Sequence, residues 1–334
     1  MNQSRVGDAI AGLAVAISLI LLSTGTRIFV KLFWPANDKL YLDDYLIVFA
    51  TVVAVADCAV LLGLEIPHGL GRHISTVEYA DLQRVLLAEF ITGHLYNTAL
   101  ASIKLSILAL YYRIFITETF RKIVVAVATF VVLWLITIEI SIFFICRPLQ
   151  SFWNPRLAGN CLNVTAMIYY ITTSNLVTDL VVFVLPLPVI IRLHITRKNK
   201  VALSILFSIG ILTCGISAAR LTYAFIQKSP DITYDGVPFA LLSTYEMLGG
   251  IMCANLPIIY KLLRRVFWGV RSAPSPEARS IPAEHSHGPF RHPENSDGDP
   301  GGWTPLSGNY YSHGNNYTTT VEAQPEAAQI GHNT

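Results

Sequence analysis

Several ionisable and amide side chains stand in the middle of long apolar stretches of this sequence. The candidate polar cluster consists of Asp57, His94, Asn97, Lys104, Asn175, Asp179 and Glu246. Inside a membrane such groups are costly, and they usually face the interior of a helix bundle. Three roles are open to them: structural ion pairs between helices, a site for a ligand or ion, and a proton relay. The residue types alone do not choose among these roles.

Lys104 is the only lysine deep within an apolar stretch. At about 1.5 Å of rise per residue it lies about 13 Å from Arg113, which ends its helix. Asp179 and Asp57 each lie about 20 Å from the corresponding ends of theirs, so both are within reach of a lysine side chain. An unpaired buried charge would cost several kcal/mol. We therefore predict that Lys104 is charged and paired, with Asp179 as the preferred partner and Asp57 as the alternative.

Helical spacing gathers the polar residues onto three helix faces. Residues three or four positions apart in a helix share a face, and each set below has that spacing. The sets are His94, Asn97, Ala101, Lys104 and Tyr111 on the third predicted helix, Thr172, Asn175 and Asp179 on the fifth, and Ser243, Glu246, Gly250, Cys253 and Pro257 on the seventh. We infer that these faces meet around a shared axis.

Seven apolar stretches would position these residues. A helix needs about 20 mainly apolar residues to cross a bilayer, and the stretches occupy residues 9–33, 44–65, 85–115, 123–145, 164–191, 201–226 and 237–260. Only 14% of residues are charged, against about 25% in soluble domains. Asp8 stands where a signal peptide would have a basic region, so we interpret 9–33 as a spanning helix. The sequence predicts an all-α fold, a polytopic bundle of seven transmembrane helices.

The chain divides into three predicted parts. Residues 1–8 form a short extracellular N-terminus, residues 9–265 form the seven-helix domain, and residues 266–334 form a cytoplasmic tail. Pro, Gly, Ser, Asn and His dominate from Ser272 onward. Such a segment buries too little apolar surface to fold, so we expect the tail to be disordered.

The orientation follows from lysine and arginine, which number fourteen in one set of loops and helix ends and seven in the other. Positive residues favour the cytoplasmic side, so the N-terminus is predicted outside and the C-terminus in the cytoplasm, with the plasma membrane as the expected location. Glycosylation sequons at Asn2 and Asn163 fall on the predicted outer side. Cys146 and Cys161 fall there too, and we predict a disulfide between them because that side is oxidising.

Several function classes find no support in the sequence. The net charge of +2 gives no basic field for nucleic acid. The motifs of serine hydrolases, zinc peptidases and nucleotide-binding loops are absent from the chain. His68 and His73 share a loop but lack further ligands at metal-site spacing. We therefore expect a protein that is not an enzyme and that holds no metal or cofactor.

Short motifs run through the apolar body in a fixed order. They are Asp43-Asp44, residues 69–73 (GLGRH), 104–108 (KLSIL), 112–115 (YRIF) and 146–148 (CRP), Trp153, Cys161, Asn175, Asp179, Pro186, Pro188, Ala219-Arg220, residues 231–233 (DIT), Glu246 and Pro257. Together they resemble the fungal rhodopsin-domain family of seven-helix membrane proteins, over about residues 20–265. Ser243 and Ile191 depart from the family pattern, which often has tryptophan at both positions.

The resemblance implies a receptor-like protein, similar to G-protein-coupled receptors, that senses a small extracellular or membrane-borne ligand. It also implies a cytosolic signalling partner. The alternative is a transporter or accessory membrane protein of a secondary-metabolite pathway, because the family includes both kinds. Retinal is not expected, since residues 237–260 contain no lysine for a Schiff base.

Overall fold

The structure, a computed structural model, describes residues 4–33, 39–188, 197–226 and 231–268. These ranges contain seven long helices and one two-stranded sheet. The helices are α1 (Val6–Phe33), α2 (Leu42–Val60), α3 (Tyr79–Ile114), α4 (Glu118–Phe143), α5 (Val164–Val184), α6 (Arg197–Ile226) and α7 (Ile232–Trp268). Helix α2 continues through a π-helical turn at Leu61–Glu65 into a last turn at Ile66–His68. The predicted tail beyond Trp268 lies outside the described residues.

Six helices in these ranges are long and apolar enough to cross a membrane, and α3 is the long helix that does not qualify. With 36 residues α3 has ample length. It is less apolar because it carries several of the buried polar residues, including Asn97 and Lys104. The all-α, polytopic membrane class is thus confirmed. The sequence predicted seven apolar spans, and six helices meet this criterion.

The observed helix ends differ from the predicted ones where polar residues extend a helix beyond its apolar part. Helix α3 begins at Tyr79 rather than at residue 85, and α7 runs from Ile232 to Trp268 rather than over 237–260. Hydropathy marks only the apolar part of a helix, so polar first and last turns are missed. Helix α5 instead ends early, at Val184, because Pro186 follows and has no N–H for the next helical hydrogen bond.

Helix α3 lies at the centre of the bundle and contacts α2, α4, α5 and α7. One apolar core joins α1, α2, α3 and α7 and includes the fully buried Ile20, Ala50 and Ile251. A second core joins α3, α4 and α5 around Leu108 and Trp134. Small side chains such as alanine let helix backbones approach closely within a membrane. This packing places the polar residues Asn97 and Lys104 of α3 in the interior of the bundle.

One end of the bundle, here the disulfide end, carries the loop between α4 and α5. Strand β1 (Cys146–Arg147) pairs antiparallel with β2 (Asn160–Cys161). A disulfide joins Cys146 to Cys161, so the structure forms the bond that the sequence predicted. Nearby, Gly71 has φ of +89°, and its N–H donates to the Thr233 carbonyl. Glycine suits this position because a Cβ would stand 3.0 Å from the Val6 nitrogen.

Arg27 organises the opposite end, here the aspartate end. Its side chain is fully buried. Its Nε donates to Asp44 Oδ1 at 2.8 Å, and its Nη2 donates to Asp43 Oδ2 at 2.5 Å. Its Nη1 donates to the Ala254 carbonyl of α7 at 2.8 Å. One guanidinium group therefore links α1 to both α2 and α7.

Two further cations share the same carboxylates. The Lys31 ammonium bonds Asp44, and Arg113 Nη1 lies 3.7 Å from Asp43 Oδ1. Ser106 of α3 donates its hydroxyl to the Asp43 backbone carbonyl at 2.7 Å. We call Arg27, Lys31, Asp43, Asp44 and Arg113 the aspartate cluster. It ties four helices, α1, α2, α3 and α7, at one end of the bundle.

We predict that Arg27→Met lowers the free energy of unfolding by about 3–5 kcal/mol, because it leaves two buried carboxylates short of a partner. Denaturant titration of the purified protein in detergent measures this change. Arg147→Met is the matched control, since Arg147 is exposed and its loss should cost less than about 0.5 kcal/mol. An Arg27 variant as stable as the control would contradict the prediction.

Candidate functional site

Lys104 lies in the middle of the bundle and bonds α5. Its Nζ is 3.0 Å from Asp179 Oδ1 and 2.7 Å from Asn175 Oδ1, and it also bonds the Thr178 hydroxyl. The Trp134 ring of α4 lies 5.0 Å from Nζ. Of the two aspartates that the sequence left open, the structure pairs Lys104 with Asp179.

Glu246 of α7 is the second centre of the site. Its Oε1 accepts hydrogen bonds from Asn175 Nδ2 at 2.5 Å and from Ser217 Oγ at 2.6 Å. Its Oε2 accepts one from the Tyr96 hydroxyl at 2.7 Å and lies 3.5 Å from Arg220 Nη1. Four helices therefore converge on this one carboxylate.

Shared partners join the two centres into one network. Asn175 bonds both Lys104 and Glu246, and Ser217 Oγ lies 2.9 Å from Asp179 Oδ2 as well as contacting Glu246. We call this set the central network, and its members are Tyr96, Lys104, Asn175, Asp179, Ser217, Arg220 and Glu246. Its two cations balance two carboxylates. Charge-assisted hydrogen bonds in apolar surroundings are stronger than those in water, so the network fixes α3, α5, α6 and α7 relative to one another.

Three predicted members lie outside the central network. His94 bonds Glu139 of α4, and Asn97 donates to the Gly93 carbonyl of its own helix at 2.7 Å. Asp57 is buried, and its Oδ1 has no hydrogen-bond partner in the described part of the chain. Helical spacing places residues on a common face but does not say which neighbour each one meets. The polar residues of α3 meet α4 through His94, α5 through Lys104, and α6 and α7 through Tyr96.

Three members of the central network were missed by sequence reasoning. Arg220 was counted among the loop charges, yet it is buried and stacks on the rings of Tyr96 and Phe239 at 4.2 and 4.5 Å. Arg220 lies six residues inside the predicted span 201–226. That position was the feature of the sequence that could have indicated its burial. Ser217 lies three residues before Arg220 on the same face of α6. Tyr96 carries no pattern that marks it in the sequence.

The charge count that set the orientation also included buried groups. Arg27 and Lys31 belong to the aspartate cluster, and Arg220 belongs to the central network. Omitting these three leaves the ratio between the two sides at about two to one. The orientation itself stays a prediction.

The remaining candidate residues have local roles. Asn163 begins α5, where its Oδ1 accepts from the Ala166 N–H at 3.1 Å, while Asn2 lies outside the described residues. His68 Nδ1 is 2.7 Å from the Leu64 carbonyl oxygen. Among the residues that the structure describes, no three His, Cys, Asp or Glu side chains form a group that could hold a metal ion.

His73 joins the loop after α2 to the start of α7. Its Nδ1 is 2.6 Å from Asp231 Oδ2, and the Ile74 N–H donates to Asp231 Oδ1 at 2.9 Å. Burial raises the pKa of Asp231, but bonds from the Ile74 N–H, the His73 ring and the Tyr234 N–H outweigh it and leave the pKa below its usual value. Asp231 is therefore an ionised anchor at the disulfide end.

Comparison with known proteins places this geometry in a family. The model of the fungal rhodopsin domain matches residues 26–265. The chain belongs to the fungal rhodopsin-domain family. This range includes the whole central network and the whole aspartate cluster, so both lie within the family domain.

Curated relatives of this rhodopsin-domain protein are membrane and gene-cluster proteins of fungi. A SAT4 family membrane protein of Emericella nidulans is 28% identical over 211 residues, which cover 61% of this chain and 53% of the relative. Wortmanamides biosynthesis cluster protein C of Talaromyces wortmannii is 26% identical, with 80% and 76% covered. Polyenoic acids biosynthesis gene cluster protein Ba17b of Metarhizium anisopliae is 23% identical, with 76% and 73% covered. The chain spans about half the length of the first relative. No solved structure matches the chain.

We predict that Lys104→Met and Asp179→Asn each lower the free energy of unfolding by about 3–5 kcal/mol, because each leaves a buried charge without its partner. The double variant should recover part of the loss, with a coupling energy of about 0.5–3 kcal/mol. Denaturant titration of all four proteins in detergent provides the double-mutant cycle.

Asp57 gives the matched control for this cycle. Lys104→Met combined with Asp57→Asn should show losses that add, because these residues share no hydrogen bond. Additive losses for Lys104 and Asp179 would show that the pair is not coupled.

Proposed function

We propose that this rhodopsin-domain protein is a receptor-like sensor of a small molecule and not an enzyme. The central network is the observation that carries the proposal, because it joins α3, α5, α6 and α7 through one set of balanced charges. A ligand shifts a conformational equilibrium by binding one arrangement more tightly than another. The charge pairs here are shared by four helices. When one charged side chain exchanges its partner for another, the helices have two such arrangements.

The positions of the charges favour sensing over solute transport. Lys104 lies beside the Trp134 ring, and Arg220 lies over the rings of Tyr96 and Phe239, so both cations contact aromatic rings as well as carboxylates. Transporters of known folds commonly have internal repeats and broken helices at the substrate site. The sequence shows no evident repeat. We propose that the charges hold helices in register and that their pairing changes when ligand binds.

A second candidate is a membrane protein that serves a secondary-metabolite pathway, as a transporter or accessory protein. The names of several relatives favour it, since they are biosynthesis cluster proteins for fugralins, wortmanamides, polyenoic acids and satratoxin. A sensor of a pathway metabolite would satisfy both proposals. Flux across a membrane would distinguish a transporter from a sensor.

We further propose that the disulfide end faces the outside of the plasma membrane and the aspartate end faces the cytosol. An oxidising compartment favours the Cys146–Cys161 bond. A cytosolic signalling partner would then bind at the aspartate end. We propose no retinal and no other cofactor, because the span Ile232–Tyr260 contains no lysine for a Schiff base.

The orientation can be tested by labelling single cysteines in a chain whose free cysteines are replaced by alanine. Ser75→Cys lies between α2 and α3 at the disulfide end, and Lys122→Cys lies near the start of α4 at the other end. A membrane-impermeant maleimide applied to intact cells should label only the residue-75 variant. Labelling of the residue-122 variant without permeabilisation would reverse the proposed orientation.

The sensing proposal predicts a ligand-dependent signal that needs Glu246. A fluorescent bimane at Lys122→Cys reports on the aspartate end of the purified protein in nanodiscs. Compounds that raise the melting temperature should change this fluorescence, and Glu246→Gln should abolish the change. Glu78→Gln is the matched control because Glu78 is exposed just before α3, at the other end of the bundle from the reporter. Solute flux into proteoliposomes without a bimane response would support the transporter instead.

A further inference from the structure

A cavity of about 390 Å³ opens at the disulfide end between α3 and the α4–α5 loop. Its polar and apolar lining comprises Gln83, Arg84 and Leu87 of α3 with Gln150, Trp153 and Asn154 of the loop. Small-molecule sites are commonly about 300–1,000 Å³ and combine apolar walls with a few convergent polar groups. The cavity therefore has the size and the mixed lining of a site for a small ligand.

Arg84 gives the cavity its charge. Its Nη1 lies 3.1 Å from Asp81 Oδ1, and 59% of its side chain is exposed. An exposed ion pair of this kind contributes little stability, so a competing carboxylate can take up the guanidinium. Arginine binds carboxylates through two parallel N–H bonds. The charge of the lining therefore favours an anion over a cation.

Trp153 and the amide side chains indicate what the uncharged part of the ligand should be. The indole of Trp153 offers a flat surface on which a planar group can stack. Gln83, Gln150 and Asn154 offer amide groups beside it. A flat unsaturated or aromatic body with one carboxylate matches this combination of groups.

The loop that carries Trp153 is held in place without a ligand. The Tyr79 hydroxyl donates to Asn154 Oδ1 at 2.7 Å, and the Arg156 N–H donates to the same hydroxyl oxygen at 3.3 Å. The Arg156 guanidinium lies 3.8 Å above the Tyr79 ring, and the disulfide closes the loop. A site formed in advance pays less conformational entropy when it binds.

A line of packed rings connects the cavity with the polar face of α3. The ring centroids of Trp153 and Phe90 lie 5.8 Å apart, and the rings of Phe90 and His94 are nearly perpendicular with centroids 4.7 Å apart. His94 bonds Glu139 of α4. Lys104 lies ten residues further along α3. A ligand against Trp153 thus contacts the helix that supplies two members of the central network.

We propose that this cavity binds a small planar carboxylic acid, with its carboxylate on Arg84 and its flat body on Trp153. The inference rests on the proposed sensing function, since it names the ligand class and the end from which the ligand enters. The site lies apart from the central network and is tested separately from it.

The test uses cinnamate as the probe and the full chain in nanodiscs, with binding measured by calorimetry. Cinnamate should bind, while its uncharged amide and the small anion acetate should each bind at least about tenfold more weakly, a difference of 1.4 kcal/mol. Arg84→Gln should weaken cinnamate binding about 10–100-fold, as expected for lost charge-assisted hydrogen bonds. Arg147→Gln removes the same charge from an exposed position of the α4–α5 loop and should change binding less than about twofold.

Two further measurements separate the possible failures. Trp153→Leu should weaken cinnamate binding and leave the melting temperature of the protein close to that of the natural chain. Absence of cinnamate binding, or equal binding by Arg84→Gln, would overturn the site. Equal binding of acetate would overturn the planar ligand class. If cinnamate binds as expected but leaves the bimane signal at residue 122 unchanged, the site stands and the sensing function fails.

Discussion

The cost of burying charge in an apolar bundle governs the arrangement of this protein. Lys104, Arg220 and Glu246 are buried and Asp179 is largely buried, so each charge would be costly alone. The four charges sum to zero. The side-chain amide of Asn175 bonds Lys104 from one ion pair and Glu246 from the other. The helices that carry these side chains therefore have few alternative packings. Apolar contacts alone would permit rotation or sliding of one helix on another, because one apolar surface resembles the next.

The central network and the aspartate cluster share two helices. Helix α7 supplies Glu246 to the first and accepts the Arg27 hydrogen bond at Ala254 in the second. These positions are about 12 Å apart along the helix. Helix α3 likewise carries Lys104 and Arg113. A rotation of α7 that breaks one set of bonds therefore strains the other, which is a physical basis for coupling between the middle of the bundle and its aspartate end.

Sequence patterns predicted the elements well and the contacts only in part. Long apolar stretches identified all seven helices, and the depth of Lys104 limited its partner to two aspartates. Depth could not decide between Asp57 and Asp179, because the choice depends on how helices are arranged around α3. Arg27 was interpreted as a flanking charge, since a position near a helix end looks the same whether the side chain faces water or Asp43. Tyr96 was missed because its role comes only from the approach of α6 and α7.

Charge balance also explains why the network can respond to a small chemical change. Two cations and two carboxylates cancel, so the loss of one charge leaves an excess that the apolar surroundings cannot screen. Arg220 Nε and Asp57 Oδ1 are both buried, and neither has a hydrogen-bond partner in the described part of the chain. Arg220 contacts Glu246 through Nη1, while its Nε remains an unused donor. If Glu246 loses its charge, Arg220 loses the carboxylate that it contacts. The charge contact between α6 and α7 is then lost, while the Ser217 hydroxyl of α6 still lies against Glu246.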